Sequence, residues 1–432
     1  MEYGKLISDA LELFEHDYRY AEWSVVSEDI LRDDDTPSEI LEKLYDMDKT
    51  NLAVLRGIAA HPNTSGEILG ELAKDLNDAV RWGVAENANT PVDVLERLAN
   101  DESDVIRYRV AKNKNTPADA LKKLASDGSN VVRSGVAGNP STPVTVLDKL
   151  SDDKEDEVRL SVAENTGASA AVLEKLAKDS DEDVRAAVAA NAKTSESAFT
   201  VLARDRSGAV RENVGRNSNA PLNVLSALLN DEETSVRGAV AANPNTSLEL
   251  LTRLSQDVKQ SIRSAVASNT NASEDILKRL AGDDDGYVRK AVARNEKTPA
   301  LMLSRLAKDE DWRVCENVAL NANAPANVLE FLSGYKDAYI RKAVAGSKNT
   351  SKETLLKMAQ DEDWQVRESV AKNPNTPVEA LTNLKNDSEW RVAKLITKNP
   401  GITEEALEKF AAEPNFRGKY KAFVSLLKRA KG

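Results

Sequence analysis

The sequence predicts an all-α solenoid of about fourteen to fifteen two-helix repeats. Three observations predict it: a fixed 26-residue period, a helix-start signal in each copy, and leucine and valine stripes at helical spacing. One register falls on Thr64, Thr90, Thr116, Thr142, Ala168, Thr194, Ala220, Thr246, Ala272, Thr298, Ala324, Thr350, Thr376 and Ile402, without an insertion or deletion. Self-similarity at such a period means units that stack in one dimension, each burying its apolar face against its neighbours.

Residues 87–112 show the unit. Thr90-Pro91 reads as the start of helix A: the hydroxyl can accept an orphan amide hydrogen, and proline suits the first helical position. Glutamate three residues on, in Thr36/Glu39, Thr64/Glu67, Thr246/Glu249, Thr350/Glu353 and Thr376/Glu379, predicts a capping box. Helix A is expected to run about nine residues, with Leu95, Leu98 and Ala99 as its inward stripe. Asp101, whose register holds Asp from Asp75 to Asp387 except at Tyr335, is expected to cap helix B. Helix B buries Ile106, Val110 and Ala111 and, at about eight residues, is short enough for part of it to be 3₁₀. One position on it is almost always small, as at Gly83, Gly135, Ala187 and Ala239, so that successive helices B can approach closely. Neither helix would persist alone at this length, so stability must come from stacking.

Two polar ladders complete the unit. Arg recurs from Arg81 to Arg367, with Cys315 and Ala393 as exceptions, six residues after the Asp. Pairing within or between units would give each exposed pair ~0 to 1 kcal/mol. Asn closes helix B from Asn87 to Asn399, replaced once by Ser347, and is expected to take the left-handed conformation that ends helices.

On these residues the chain resembles the leucine-rich repeat variant family, whose bacterial members carry units close to Asn-Pro-Asn-Thr-Pro followed by paired leucines, an Asp-x-Asp turn and Val-Arg-x-x-Val-Ala. Residues 373–392 and 295–318 fit closely, and the likeness covers about 36–411. The Asp-to-Arg spacing also resembles the wider HEAT-like superfamily. The resemblance implies a right-handed superhelix of paired short helices, one often 3₁₀, and an interaction role without fixed chemistry. A member with an N-terminal iron–sulfur module needs a cysteine cluster there; this chain has Cys315 alone.

The first unit starts at Thr36 and takes 28 residues to reach Thr64, with His61 in the Asn register. Residues 1–35 are read as an N-terminal helical cap, 36–410 as the repeat solenoid, and 411–432 as a basic C-terminal helical cap in which six Lys and Arg face only Glu413. A net charge of -12 disfavours a general polyanion binder and favours a solvated cytoplasmic surface. No stretch reads as a signal peptide or a transmembrane helix.

Catalytic groups should break the repeat, and few residues do. His16 and His61 are the only histidines, so no histidine metal cluster is expected, and no cofactor. Cys315 has no histidine near it in sequence, which argues against a reactive thiol. The turns Asp283–Gly286 and Asp152–Glu157 lack EF-hand offsets and read as helix caps. Trp312, Trp364 and Trp390 share one register, a feature that would suit a HEAT-like DNA glycosylase, but acidic neighbours set that reading below simple packing.

The positions the repeat leaves free lie on helix B, four residues apart on one face. They begin with Trp82/Glu86 and Tyr108/Lys112, become small, and end with Lys290/Arg294, Lys342, Lys372, Lys394 and Lys398. If helices B line the concave side, an extended peptide or partner helix would lie there, with Trp82 and Tyr108 as apolar anchors and the lysines meeting acidic groups. The function this predicts is a non-enzymatic protein-interaction scaffold. A structural spacer is the alternative, with a nucleic-acid enzyme behind both.

Overall fold

The structure, a computed structural model, describes Ser27 and residues 30–412, with side chains through Phe410. The two caps expected at 1–35 and 411–432 lie almost wholly outside that range. The chain divides into two units, Met1–Pro221 and Leu222–Gly432. Every regular element among the described residues is a helix, and no strand is found among them.

Each period folds as one helix A and one helix B. In the repeat quoted above they are Val92–Leu98 and Asp104–Lys112. Their lengths invert the expectation: A is seven residues, B is nine, and B is α-helical throughout, with no 3₁₀ turn. Helix A is short because it starts two residues after the threonine and closes at Ala99. The first unit spends its two extra residues on a ten-residue helix A, Ser38–Met47.

The stripes lie where the spacing put them. Leu95, Leu98 and Ala99 are at most 2 % exposed, and Ile106, Val110 and Ala111 are fully buried. Helix A buries one more position, Val94, beside its first leucine. Within each unit successive helices B pack far more closely than successive helices A. The small register allows this: a Cβ on Gly83 would stand 2.9 Å from the Ala59 Cβ of the preceding helix B.

The polar residues depart from the sequence reading in a common direction, toward the neighbouring helix or repeat. Thr90 does not cap helix A. It is buried, and its hydroxyl donates to the Val84 carbonyl at 2.6 Å, closing the preceding helix B. The N-cap falls one residue later, on Pro91 or, in other copies, on a serine such as Ser169, which accepts the Val172 amide. The capping boxes are therefore not made; the Thr64 amide donates to the His61 carbonyl instead.

Asp101 likewise stands two residues ahead of the helix-B N-cap, Ser103, and accepts that residue's amide at 3.0 Å. Its carboxylate receives Arg81 from the preceding repeat, Nε at 2.7 Å and Nη2 at 3.0 Å. Arg81 also donates to the carbonyl of Asp75, at the head of its own helix B. This fork joins residues 20 apart and recurs, for example, at Arg107–Asp127, Arg185–Asp205, Arg263–Asp283 and Arg367–Asp387. The Arg81 and Asp101 side chains are only 8 % and 7 % exposed. The pair is thus a buried one, where removal of a single partner costs ~3–5 kcal/mol, and not the weak exposed contact expected.

The asparagines are the second clasp. Asn113 Nδ2 donates to the Ala85 and Asn87 carbonyls of the preceding repeat, both at 2.9 Å, while Oδ1 accepts the Asn115 amide. The left-handed conformation is not used: Asn113 is extended, and no described residue has positive φ. His61 does the same work in the asparagine register. Its Nδ1 accepts the Asn63 amide at 3.1 Å, which leaves Nε2 to donate to the Asp33 carbonyl at 3.0 Å.

Candidate functional site

With the stripe, the arginines and the asparagines committed to stacking, the residues left for a partner are those on the outer face and at the N-terminal edge of helices B. In the first unit the structure brings Trp82, Glu86, Tyr108 and Lys112 together on Asp78–Glu86 and Asp104–Lys112. It does so around a residue the sequence reading passed over, Arg109, which occupies a position that is small in most repeats. Its guanidinium lies 4.6 Å from the Trp82 ring centre and 5.7 Å from that of Tyr108. Nη1 donates to Glu86 at 3.0 Å, and Lys112 Nζ lies 5.9 Å from the Tyr108 ring. Trp82 and Tyr108 are half-buried, each with one face against the cation. They are parts of a preassembled cation–π cluster, each contact contributing ~0.5–2 kcal/mol, and not free apolar pegs. Arg109 as the one charged residue of a mostly small register was the signal available for it.

In the second unit the predicted basic run is mixed in sign. Lys290 and Lys342 alternate with Glu316 and Glu368 along successive helices B, and Lys372 pairs with Glu368 at 2.9 Å. Arg294 lines a shallow depression with Ser268, Thr270 and Lys297. Lys394 lies 5.3 Å from the Trp390 ring. Lys398 lies beyond the last helix B, Trp390–Ile396, which ends two residues before it. Thr397 stands where the other repeats have Ala, or Gly at Gly215, and a β-branched residue is a weaker helix former than Ala.

The three tryptophans of one register open helices B. Trp312 and Trp390 are about half exposed. Arg313 lies over Tyr287 at 4.7 Å, Trp312 beside Tyr339 at 6.1 Å, and Arg391 over Trp364 at 5.2 Å.

Cys315 and Tyr335, the two exceptions in the Arg and Asp registers, are partners. They are 20 residues apart, as every fork is, and Cys315 Sγ lies 3.7 Å from the Tyr335 hydroxyl, which donates to the Ala307 carbonyl at 2.7 Å. Burial pushes the thiol above its ordinary value and the Tyr335 phenol up to about 12. This is a neutral substitute for the ion pair, with no thiolate to serve as nucleophile. Asp283 and Asp153, from the acid-rich turns, are fork carboxylates to Arg263 and Arg133. Among the described residues no cluster of His, Cys, Asp or Glu is arranged to hold a metal ion. A depression of about 830 Å³ between Gly282 and Glu310 takes its charges from the Arg289–Asp309 fork and its surroundings. No described helix is long and apolar enough to cross a membrane.

No family model and no curated protein matches the chain. Among solved structures, a leucine-rich repeat variant with a novel repetitive structural motif is 25% identical over 51% of this chain and 87% of its own, with a TM-score of 0.39. The karyopherin Kap121p, bound to the extreme C-terminus of the protein phosphatase Cdc14p, is 12% identical over 96% of this chain, with a TM-score of 0.40. Importin beta is 13% identical over 96%, with a TM-score of 0.34. The chain spans 57% of the Kap121p chain and 68% of the importin beta chain. By its own helices the chain is an α-solenoid of two-helix repeats, similar to a leucine-rich repeat variant and to the helical-repeat karyopherins.

Proposed function

We propose that the chain is a non-enzymatic scaffold that binds protein, as an extended peptide or a partner helix, along the face of helices B. The closer approach of successive helices B than of successive helices A supports taking that face as the inner one. The observation that carries the reading is a division of labour. Residues consumed by stacking hardly vary from copy to copy, while the outer helix-B positions change in every copy and gather aromatic and charged side chains. Binding surfaces favour aromatic and arginine anchors of the kind assembled at Trp82, Arg109 and Tyr108.

The test is recovery of partners from the native cell on the immobilised chain, compared with Trp82→Ala plus Tyr108→Ala. A specific partner retained by the first and lost by the second is expected. Equal recovery removes these anchors.

A further inference from the structure

Five consecutive repeats of the second unit share a feature that stacking does not require. Their helices B begin at Gly286, Trp312, Ala338, Trp364 and Trp390, and each has an aromatic residue at its first or second position: Tyr287, Trp312, Tyr339, Trp364, Trp390. In the same five repeats the N-cap is acidic, as Asp285, Asp311, Asp337, Asp363 and Glu389, each accepting the backbone amide two residues on. No earlier described helix B has an aromatic residue at either position. Tyr287, Trp312, Tyr339 and Trp390 are 57%, 45%, 60% and 54% exposed, so open ring surface recurs along the row. The row already takes up cations, since Arg313 covers one face of Tyr287 and Arg391 one of Trp364. On its other side Lys290, Glu316, Lys342, Glu368 and Lys394 alternate in sign, so the consistent charge bordering the rings is that of the caps, of which Asp311 and Glu389 already pair with Arg313 and Arg391.

The spacing selects the conformation of what fits. Packed helices stand ~8–10 Å apart, so the helix starts that carry the rings recur at steps of that size, while the Trp312 and Tyr339 ring centres lie 6.1 Å apart. A polyproline II chain returns the same side every three residues, ~9 Å. A β-strand alternates sides, so its same-side residues fall ~7 or ~13 Å apart. An α-helix returns its face after seven residues, ~10.5 Å, and slips progressively over several steps. A threefold chain alone keeps register with the helix starts along the whole row.

We infer that this edge binds a proline-rich segment bearing Arg or Lys, in the polyproline II conformation, one turn per repeat. Prolines lie on the open ring faces and cations reach the caps Asp285, Asp337 and Asp363. The inference rests on the scaffold reading in its general sense but uses a different surface from the first-unit cluster.

The test measures binding of fluorescent (Arg-Pro-Pro)5, (Arg-Gly-Gly)5 and (Glu-Pro-Pro)5 peptides to the full chain by anisotropy. The first should bind at least about tenfold more tightly than either of the others. Trp312→Ala plus Trp390→Ala should weaken it by about tenfold, and the paired Phe variants should restore most of the loss. These side chains are exposed, and an unchanged helical circular dichroism spectrum verifies that the variants fold. Equal binding of (Arg-Pro-Pro)5 and (Arg-Gly-Gly)5, no binding of the first, or indifference to the Ala variants overturns the inference. Trp82→Ala plus Tyr108→Ala should leave this peptide's affinity unchanged. Failure here therefore leaves the first-unit recovery experiment standing, and failure there leaves this one standing.

Discussion

The Arg263–Asp283 fork and the Cys315–Tyr335 pair occupy equivalent places in the second unit and solve the same packing problem with opposite chemistry. In the fork, a guanidinium donates to the carboxylate at 2.6 and 2.7 Å and to the Asp257 carbonyl. In the substitute, a thiol and a phenol fill the space, and the phenol reaches back to the Ala307 carbonyl. The first is charged and depends on both partners; the second is neutral and loses little when one is trimmed. What the repeat needs at this point is a filled, hydrogen-bonded joint between neighbours, and charge is one way of making it.

Acid should separate the two most strongly. Burial alone would raise the Asp283 carboxyl, but hydrogen bonds from the Arg263 guanidinium and the Asp285 amide outweigh it and hold the group below its ordinary value. Asp101 and Asp387 behave alike. A carboxyl lowered in the folded state contributes stability that is present above the unfolded value, roughly pH 4, and disappears as pH falls through the folded one. Thermal melting from pH 6 to pH 2 should therefore show a steep loss below about pH 4. Hydrogen exchange should show the amides beside the forks opening before those of Cys315 and Tyr335. Uniform opening would mean that the forks are not what acid breaks.

Next in size is Cys315→Arg, which places a guanidinium opposite a phenol. It should cost ~3–5 kcal/mol in urea unfolding, and adding Tyr335→Asp should recover most of that. A double variant no better than the single one would show that the two positions are not coupled. Asn269→Ala strips the bonds to the Ala241 and Asn243 carbonyls and the Asn271 amide. It should cost about 2–3 kcal/mol, read by the same unfolding curve. The mildest change, Tyr335→Phe, forfeits one hydrogen bond to a carbonyl and should cost about 1 kcal/mol. A cost equal to that of Asn269→Ala would make the Cys–Tyr joint as exacting as the others.

The apolar half of this fold was legible because stripe periodicity is a property of one segment. Leu95, Leu98, Ile106 and Val110 announce their faces without reference to any other repeat. The polar half was misread for the complementary reason. Thr90, Asp101 and Asn113 each sit beside a helix end, and local capping is what such placement suggests. Their partners lie six residues back for the threonine and 20 to 28 away for the others. One clue lay in the letters: Cys315 and Tyr335 depart from their registers together, at the spacing of the Arg-to-Asp fork. For the candidate site, the strip of Trp82 and Tyr108 was found from its variability, but Arg109 between them was hidden in a register taken to be small. The aromatic edge mixes two adjacent positions, Tyr287 and Tyr339 against Trp312, Trp364 and Trp390, so following one register showed only the tryptophans.

The clasps also set how such a chain can change in length. An asparagine amide grips carbonyls 26 and 28 residues upstream, and an arginine seizes a carboxylate 20 residues downstream. One inserted residue puts both grips out of step at that joint, whereas excising or duplicating a full period re-creates each of them with an equivalent neighbour. Growth and shrinkage are thereby quantised, which accounts for the unbroken spacing from Thr64 to Ile402. It also means that a shortened chain obtained by splicing out one whole period within a unit should close its seam with the same bonds as the parent.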